Sequence, residues 1–259
     1  MCGLAGWFGL SLADSGQQEE LLRHLLRKAQ VRGMDSFGVA FARDNRMRVH
    51  RGLGPVSQWL SRDRARVARA ASSKVLIGHT RAASRGDVTL ANAHPFVVGG
   101  YVGAHNGTIF NSASLMLGAR YVPRGETDSE ESLAWLVTEG LAAEAFGHLQ
   151  GMFAMTIASV DASELVIAVD ARTPFAIARV GGGVIWHSLG LALETSLDAV
   201  GLRATVEEVK GRIIRLPSGE VEELGPPATA GLREEVGHKE ERTMVDGVSQ
   251  QLELEGWGA

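Results

Sequence analysis

Two hydrophobic periods alternate along the chain. Residues 3–10 are small and apolar and predict a strand at the very start. Ser15 with Gln18 resembles a capping box, and Leu21, Leu22, Leu25, Leu26 and Ala29 then mark one apolar stripe at helical spacing. Residues 32–36 read as a turn. Residues 37–42 and 47–50 read as a strand pair around Asp44-Asn45, 57–71 as a second helix and 75–79 as a buried strand. After a polar loop over 80–92, residues 97–104 predict a strand that ends in His105-Asn106-Gly107. Thr127 with Glu130 repeats the capping-box pattern and opens a helix whose apolar positions include Leu133, Leu136, Val137 and Leu141. Beyond Gly147 the period shortens. Residues 152–160, 165–169, 175–180, 184–187 and 191–195 predict short strands in meander order, with a last strand at 213–216. Strands, then helices, then strands predict an α+β fold: antiparallel sheets with helices outside them, not regular βαβ repeats.

With 259 residues and 45% apolar content, the chain is long enough for one large domain with a sizeable core. No apolar run approaches the ~18–20 residues of a membrane span, and the start lacks the basic segment and long apolar core of a secretion signal. Net charge is −4, which gives no global field for nucleic acid. That charge is uneven. Residues 218–259 carry ten acidic side chains against three basic ones, so the remainder carries about +3 and would not repel a small anion. Pro217-Ser218-Gly219 marks the change. The expected organisation is one domain over 1–217 and an acidic extension over 218–259, solvated apart from a short helix near 245–254. Cys2 is the only cysteine, which excludes an internal disulfide framework and a multi-cysteine zinc site and fits a reducing, cytoplasmic compartment. The eight histidines show no metal spacing such as HExxH.

The position of Cys2 matters more than its number. Removal of Met1 would leave one residue with a thiol nucleophile and a free α-amine, whose ordinary pKa of about 7.7–8.0 suits a base near neutral pH. The bland alternative is a small buried hydrophobe. Other residue types could complete such a site, each with an ordinary structural reading beside it. Arg81, just past a strand end, offers a two-bond fork for a carboxylate or a surface salt bridge. Asn106 and Gly107 offer oxyanion donors or a plain turn. Asp128 offers a partner for an ammonium or a helix cap. His94 is a positioning group more readily than a metal ligand.

Seven motifs in order give the chain a wider resemblance. Cys2-Gly3-Leu4-Ala5-Gly6, Arg32-Gly33-Met34-Asp35-Ser36-Phe37-Gly38, Gly78-His79-Thr80-Arg81, Asn92-Ala93-His94-Pro95, His105-Asn106-Gly107-Thr108-Ile109-Phe110-Asn111, Thr127-Asp128-Ser129-Glu130 and Gly151-Met152-Phe153-Ala154 resemble the class II glutamine amidotransferases. These are the glutaminase domains found in glucosamine-6-phosphate synthase, glutamine phosphoribosylpyrophosphate amidotransferase and asparagine synthetase. The resemblance covers about residues 2–215. It implies an N-terminal-nucleophile hydrolase fold, an αββα sandwich of two antiparallel sheets between helical layers. It implies hydrolysis of L-glutamine through a γ-glutamyl thioester on Cys2, with Asn106 and Gly107 at the oxyanion hole. By the same resemblance Arg81 grips the α-carboxylate, Asp128 the α-ammonium, His94 and Ser84 line the glutamine pocket, and Arg32 supports the terminal cysteine. No metal or organic cofactor is needed for this half-reaction.

The sequence departs from the family at Ala82, where tryptophan is frequent in sugar-phosphate members, at Ser84, usually threonine, and at Arg85, where histidine is common. Only about 40 residues follow the resembling part, and no Gly-x-x-x-x-Gly-Lys-[Ser/Thr] phosphate loop is present. The expectation is therefore a stand-alone glutaminase that hands ammonia to a separate acceptor chain. The alternatives are an amidohydrolase for another γ-glutamyl amide, and a non-catalytic module that senses glutamine.

Overall fold

The structure, a computed structural model, describes residues 2–117 and 121–224. In chain order the elements are β1 (Gly3–Phe8), α1 (Ser15–Gln30), β2 (Ser36–Arg43), β3 (Arg46–Leu53), α2 (Val56–Arg62), α3 (Arg64–Ala71), β4 (Val75–Arg81), β5 (Phe96–Val98), β6 (Tyr101–Ile109), α4 (Ser112–Met116), α5 (Asp128–Thr138), α6 (Ala143–Gly147), β7 (Gly151–Ser159), β8 (Leu165–Val169), β9 (Ala176–Val180), β10 (Gly183–His187), α7 (Gly190–Ala199), β11 (Val206–Glu208), β12 (Arg212–Leu216) and β13 (Val221–Glu223).

The strands form two antiparallel sheets. One has seven strands in the order β11-β9-β10-β1-β4-β2-β3, the other six in the order β13-β12-β8-β7-β6-β5. Because side chains alternate across a strand, each sheet has two apolar faces to cover. In β1, Ala5 and Trp7 join a core against α1, α2, α3 and α7, while Leu4 and Phe8 join a core against the other sheet. In β7, Ala154 and Ala158 face that shared core, and Phe153, Met155 and Ile157 pack under α5 and α6. Three stacked cores make four layers, helix–sheet–sheet–helix, the arrangement expected from the family resemblance. Trp7 shows the stakes. It is fully buried and donates its Nε1–H to Ser73 O at 2.8 Å, and truncating such a residue to Ala typically costs about 3–5 kcal/mol.

The structure corrects several local expectations. Residues 57–71 are not one helix: Asp63 (φ −111°, ψ 62°) ends α2, and its carboxylate accepts from Arg66 N–H to cap α3. The strand expected over 97–104 is a hairpin. Gly99 and Gly100, both at positive φ, turn β5 into β6 with Val98 opposite Tyr101. As a result His105-Asn106-Gly107 does not follow a strand but lies inside β6. Residues 191–195 belong to α7, not to a strand. Leu193 and Leu197, four apart, bury against the α1 layer, while Leu191 points to solvent. The first helix is capped by Asp14, whose side chain accepts from Gly16 and Gln17 N–H, and not by Ser15. Beyond residue 217 the smaller sheet gains β13, paired with β12. The helix expected near 245–254 lies outside the described residues.

Candidate functional site

Cys2 stands at the head of an interior strand. β1 pairs with β4 on one side, Gly3 opposite Thr80, and with β10 on the other. The Cys2 carbonyl accepts from Arg32 Nε at 2.6 Å and from Asn106 Nδ2 at 2.9 Å. Asn106 Nδ2 also donates to Ser188 Oγ at 2.7 Å, and that hydroxyl accepts from Leu4 N–H at 2.7 Å. A carbonyl has no proton to give, so the amide nitrogen, not the oxygen, of Asn106 must face Cys2. The Cys2 thiol lies 3.6 Å from Ala82 O. Burial pushes the thiol's pKa up; its contact with the Ala82 backbone and the charges of Arg81 and Arg32 act in the opposite direction.

A second group organises the loop between β4 and β5. Arg81 is buried at the end of β4, and its guanidinium is turned onto main-chain carbonyls: Nη1 donates to Asp87 O at 3.0 Å, Nη2 to Arg85 O at 2.5 Å and to Gly86 O at 3.2 Å. Asn92 Nδ2 donates to the same Asp87 carbonyl at 3.0 Å, and Asn92 Oδ1 accepts from Glu126 N–H at 2.8 Å, which ties this loop to the approach to α5. On its other flank Asp35 Oδ2 accepts from Ala83 N–H at 2.7 Å. Gly33 passes so close that an added Cβ would lie 2.4 Å from Ala82 N. Arg85 reaches across toward α4 and α5. Its Nη1 is 3.4 Å from Ser112 Oγ and its Nη2 is 3.5 Å from Glu131 Oε2.

The third group comes from β6 and α5. Gly107 has φ +130°, and an added Cβ would lie 1.9 Å from Met152 O, so only glycine fits. Thr127 caps α5 by accepting from Glu130 N–H, as the sequence predicts. The reciprocal half of the capping box is not made. The Glu130 carboxylate instead accepts from Tyr121 OH and from the Arg124 and Gly125 N–H groups. Asp128, also buried, accepts from Ile109 N–H with Oδ2 at 2.8 Å. Behind these residues three buried imidazoles cluster. His79 Nε2 donates to His105 O at 3.1 Å, His94 stands edge-on to His79 with centroids 4.0 Å apart, and His105 Nδ1 contacts Ser129 Oγ at 2.8 Å. Burial pushes the His79 pKa down to about 3 and that of His94 well below the ordinary range. Both are neutral at physiological pH.

One small cleft collects the open faces of these groups. The space between its lining atoms is ≈ 290 Å³, part of it open solvent. Of the residues singled out from sequence, Cys2, Arg81, Ser84, His94, Gly107 and Asp128 line it. Arg32 and Asn106 stand behind, on the Cys2 carbonyl. Sequence reasoning missed Ser188, Asn92, His79 and His105 as supports. His79 and His105 lie inside recognised motifs, but Ser188 carries no local signal at all. Among the described residues no group of histidine, cysteine or carboxylate side chains has the geometry to hold a metal ion, and no helix is long and apolar enough to cross a membrane.

The chain is similar to several known proteins. Residues 22–163 match the family described as "Glutamine amidotransferases class-II". Glutamine–fructose-6-phosphate aminotransferase (isomerizing) of Corynebacterium diphtheriae is 34% identical over 181 residues, covering 67% of this chain and 28% of that protein. Its counterpart in Aquifex aeolicus is 28% identical over 240 residues, covering 87% of this chain and 36% of that protein. The chain thus spans about a third of the length of these curated relatives. Among solved structures, glutamine phosphoribosylpyrophosphate amidotransferase from B. subtilis superposes with a TM-score of 0.66 at 22% identity, over 86% of this chain and 49% of that one. A glutamine aminotransferase class-II domain protein from Silicibacter pomeroyi does so with a TM-score of 0.57 at 19% identity, over 87% of this chain and 100% of that one. These two likenesses show the fold.

Proposed function

The chain belongs to the class II glutamine amidotransferases, and from that premise we propose that it hydrolyses L-glutamine to glutamate and ammonia through a thioester on Cys2. The observation that carries this reading is the convergence of a thiol, arginines and a buried carboxylate on one small cleft. In the proposed reaction Met1 has been removed. The free α-amine of Cys2 takes the thiol proton, and the thiolate attacks the side-chain amide carbon of glutamine. The C–O π bond opens to an oxyanion, which Gly107 N–H and the Asn106 amide stabilise. Asn106 Nδ2 must then yield one of its two present acceptors, Cys2 O or Ser188 Oγ. As the oxyanion collapses the C–N bond breaks, and the amine returns its proton to the departing nitrogen, which leaves as ammonia. Water adds to the thioester, the C–S bond breaks, and glutamate and the thiol are restored.

The zwitterionic end of the substrate needs one cation and one anion at fixed separation. Asp128 serves the α-ammonium, and the arginine side of the cleft serves the α-carboxylate. A buried pair of this kind rejects analogues lacking either charge, because one partner would stay unsatisfied. Ammonia is passed to an acceptor enzyme on a separate chain. That the ammonia reaches an acceptor at all is supported by the relatives, single chains of which this one covers about a third, named for amino transfer to fructose-6-phosphate. Intact mass after incubation with 6-diazo-5-oxonorleucine tests the catalytic reading: the expected product lacks Met1 and carries one adduct on Cys2. Active, natively produced protein that retains Met1 would defeat it. Copurification from the native host tests the partner. A fully active chain recovered repeatedly without one would count against a separate acceptor.

A further inference from the structure

Resting on that reading, we infer that the same cleft also cleaves secondary γ-glutamyl amides, in which an alkyl or arylalkyl group replaces one hydrogen of the glutamine amide nitrogen. The side open to the leaving nitrogen follows from what holds the rest of the substrate. In the proposed reaction the amide oxygen turns to Gly107 and Asn106 on β6, and the zwitterionic end lies between Asp128 and the arginine side. The nitrogen is left the remaining side of the thiol. Its neighbour there is Ala82, whose carbonyl is 3.6 Å from Cys2 Sγ and whose side chain is a single methyl. Among the described residues that line the cleft, none carries a large apolar side chain, and part of the space is open solvent. Nothing bulky closes the site over the departing group.

Beyond Ala82 the rim is apolar. Residues 33–35 run beside 81–83 and are pinned to them. Gly33 packs against Ala82 N, Asp35 N–H donates to Arg81 O at 3.0 Å, and Ala83 N–H donates to Asp35 Oδ2 at 2.7 Å. One residue earlier, Arg32 is tied to the Cys2 carbonyl. Met34 is thus held next to Ala82 on a segment anchored to both the nucleophile and the loop, yet its own side chain is 61% exposed. An unbranched thioether adapts to many apolar shapes. A substituent on the leaving nitrogen would pass over the Ala82 methyl and bury apolar surface against Met34; ammonia has no such surface to bury. The chemistry is that of glutamine. The thiolate forms the C–S bond, the C–N bond breaks, and the nitrogen takes the proton held by the Cys2 amine and leaves as a primary amine. Water then releases glutamate from the thioester.

Steady-state turnover of L-glutamine, γ-glutamylethylamide and γ-glutamylbenzylamide by the full chain tests the inference, with glutamate release as the common readout. For both substituted amides kcat/KM should lie within about 100-fold of the value for glutamine, the benzylamide at or above the ethylamide. A larger deficit overturns the inference. Ala82→Trp, which fills the space beside the thiol, should lower the benzylamide-to-glutamine ratio of kcat/KM at least 10-fold. Met34→Asp, a change on the exposed turn, should lower the same ratio about 3- to 5-fold. If both variants leave that ratio within twofold, the substituent does not lie where it is placed and the inference falls. Turnover of none of the three compounds would instead remove the glutaminase reading itself. Turnover of the substituted amides without glutamine would remove glutamine as the substrate and keep the subsite.

Discussion

The two sides of the cleft hold opposite charges by opposite means. On the β1/β4 side the charged groups are arginines, and they donate to main-chain carbonyls: Arg32 to Cys2 O, Arg81 to the carbonyls of 85–87. On the β6/α5 side they are carboxylates, and they accept from main-chain N–H groups: Asp128 from Ile109, Glu130 from Arg124 and Gly125. Arg81 and Asp128 are thus held by main-chain groups, and the ion pair between the sides, Arg85 with Glu131 at 3.5 Å, is a long one. A direct salt bridge between Arg81 and Asp128 would fill the space that a zwitterion needs. Fixing each charge with neutral dipoles leaves the two sides polarised toward one another and the middle open.

The first way to break this comparison is to remove the group both sides frame. Cys2→Ala should lower glutamine-dependent ammonia release by about 10³-fold or more while the unfolding midpoint stays put; release near the original rate would move the chemistry elsewhere. Next comes one side alone. Asp128→Asn keeps an acceptor for Ile109 N–H but loses the charge, and KM for glutamine should rise about 10- to 100-fold, equivalent to roughly 1.4–2.7 kcal/mol. An unchanged KM would leave Asp128 a structural carboxylate. The matching change opposite, Arg81→Lys, keeps three N–H donors but gathers them on one nitrogen, so it cannot reach the carbonyls from the two positions that Nη1 and Nη2 occupy. Limited proteolysis within 82–92 should quicken, and KM for glutamine should rise about 5- to 10-fold.

The smallest expected effect lies in the sheet behind. Burial pushes His187 down to about 4, against about 6.5 in an unfolded chain. Between those values the unfolded state holds a proton that the folded state does not. This contribution is complete above pH 6.5, declines as pH falls and is lost by about pH 4, at most about 3–4 kcal/mol. His187→Gln should flatten the pH dependence of thermal unfolding across that window by one proton's worth of slope. An unaltered slope would place the titration elsewhere.

How much of this was legible beforehand follows from which interactions are local. The apolar stripe of α1, the Thr127 cap and the alternation in β7 are written in neighbouring residues, and they were read correctly. The motifs also announced Cys2, Arg81, Gly107 and Asp128 as occupants of one cleft. What escaped depends on contacts distant in sequence. Ser188 reaches Asn106 across 82 positions, and nothing around it marks it. The α7 helix was mistaken for a strand because Leu191-Ala192-Leu193 fits either period, and only packing on α1 decides. The break at Asp63 was missed because its capping bond competes with a stripe that continues past it.

Arg81 holds its loop by the carbonyls of 85–87, groups that every amino acid brings regardless of identity. Apart from Gly86, held at φ +72° where an added Cβ would lie 2.8 Å from Asn92 Nδ2, the path of that segment is therefore insensitive to which residues travel along it. Ala82, Ser84 and Arg85, the places where this chain parts from its family's habit, all lie on it. A scaffold anchored in this way lets the rim be rewritten residue by residue without collapse, and offers natural variation a place to retune what the enzyme admits.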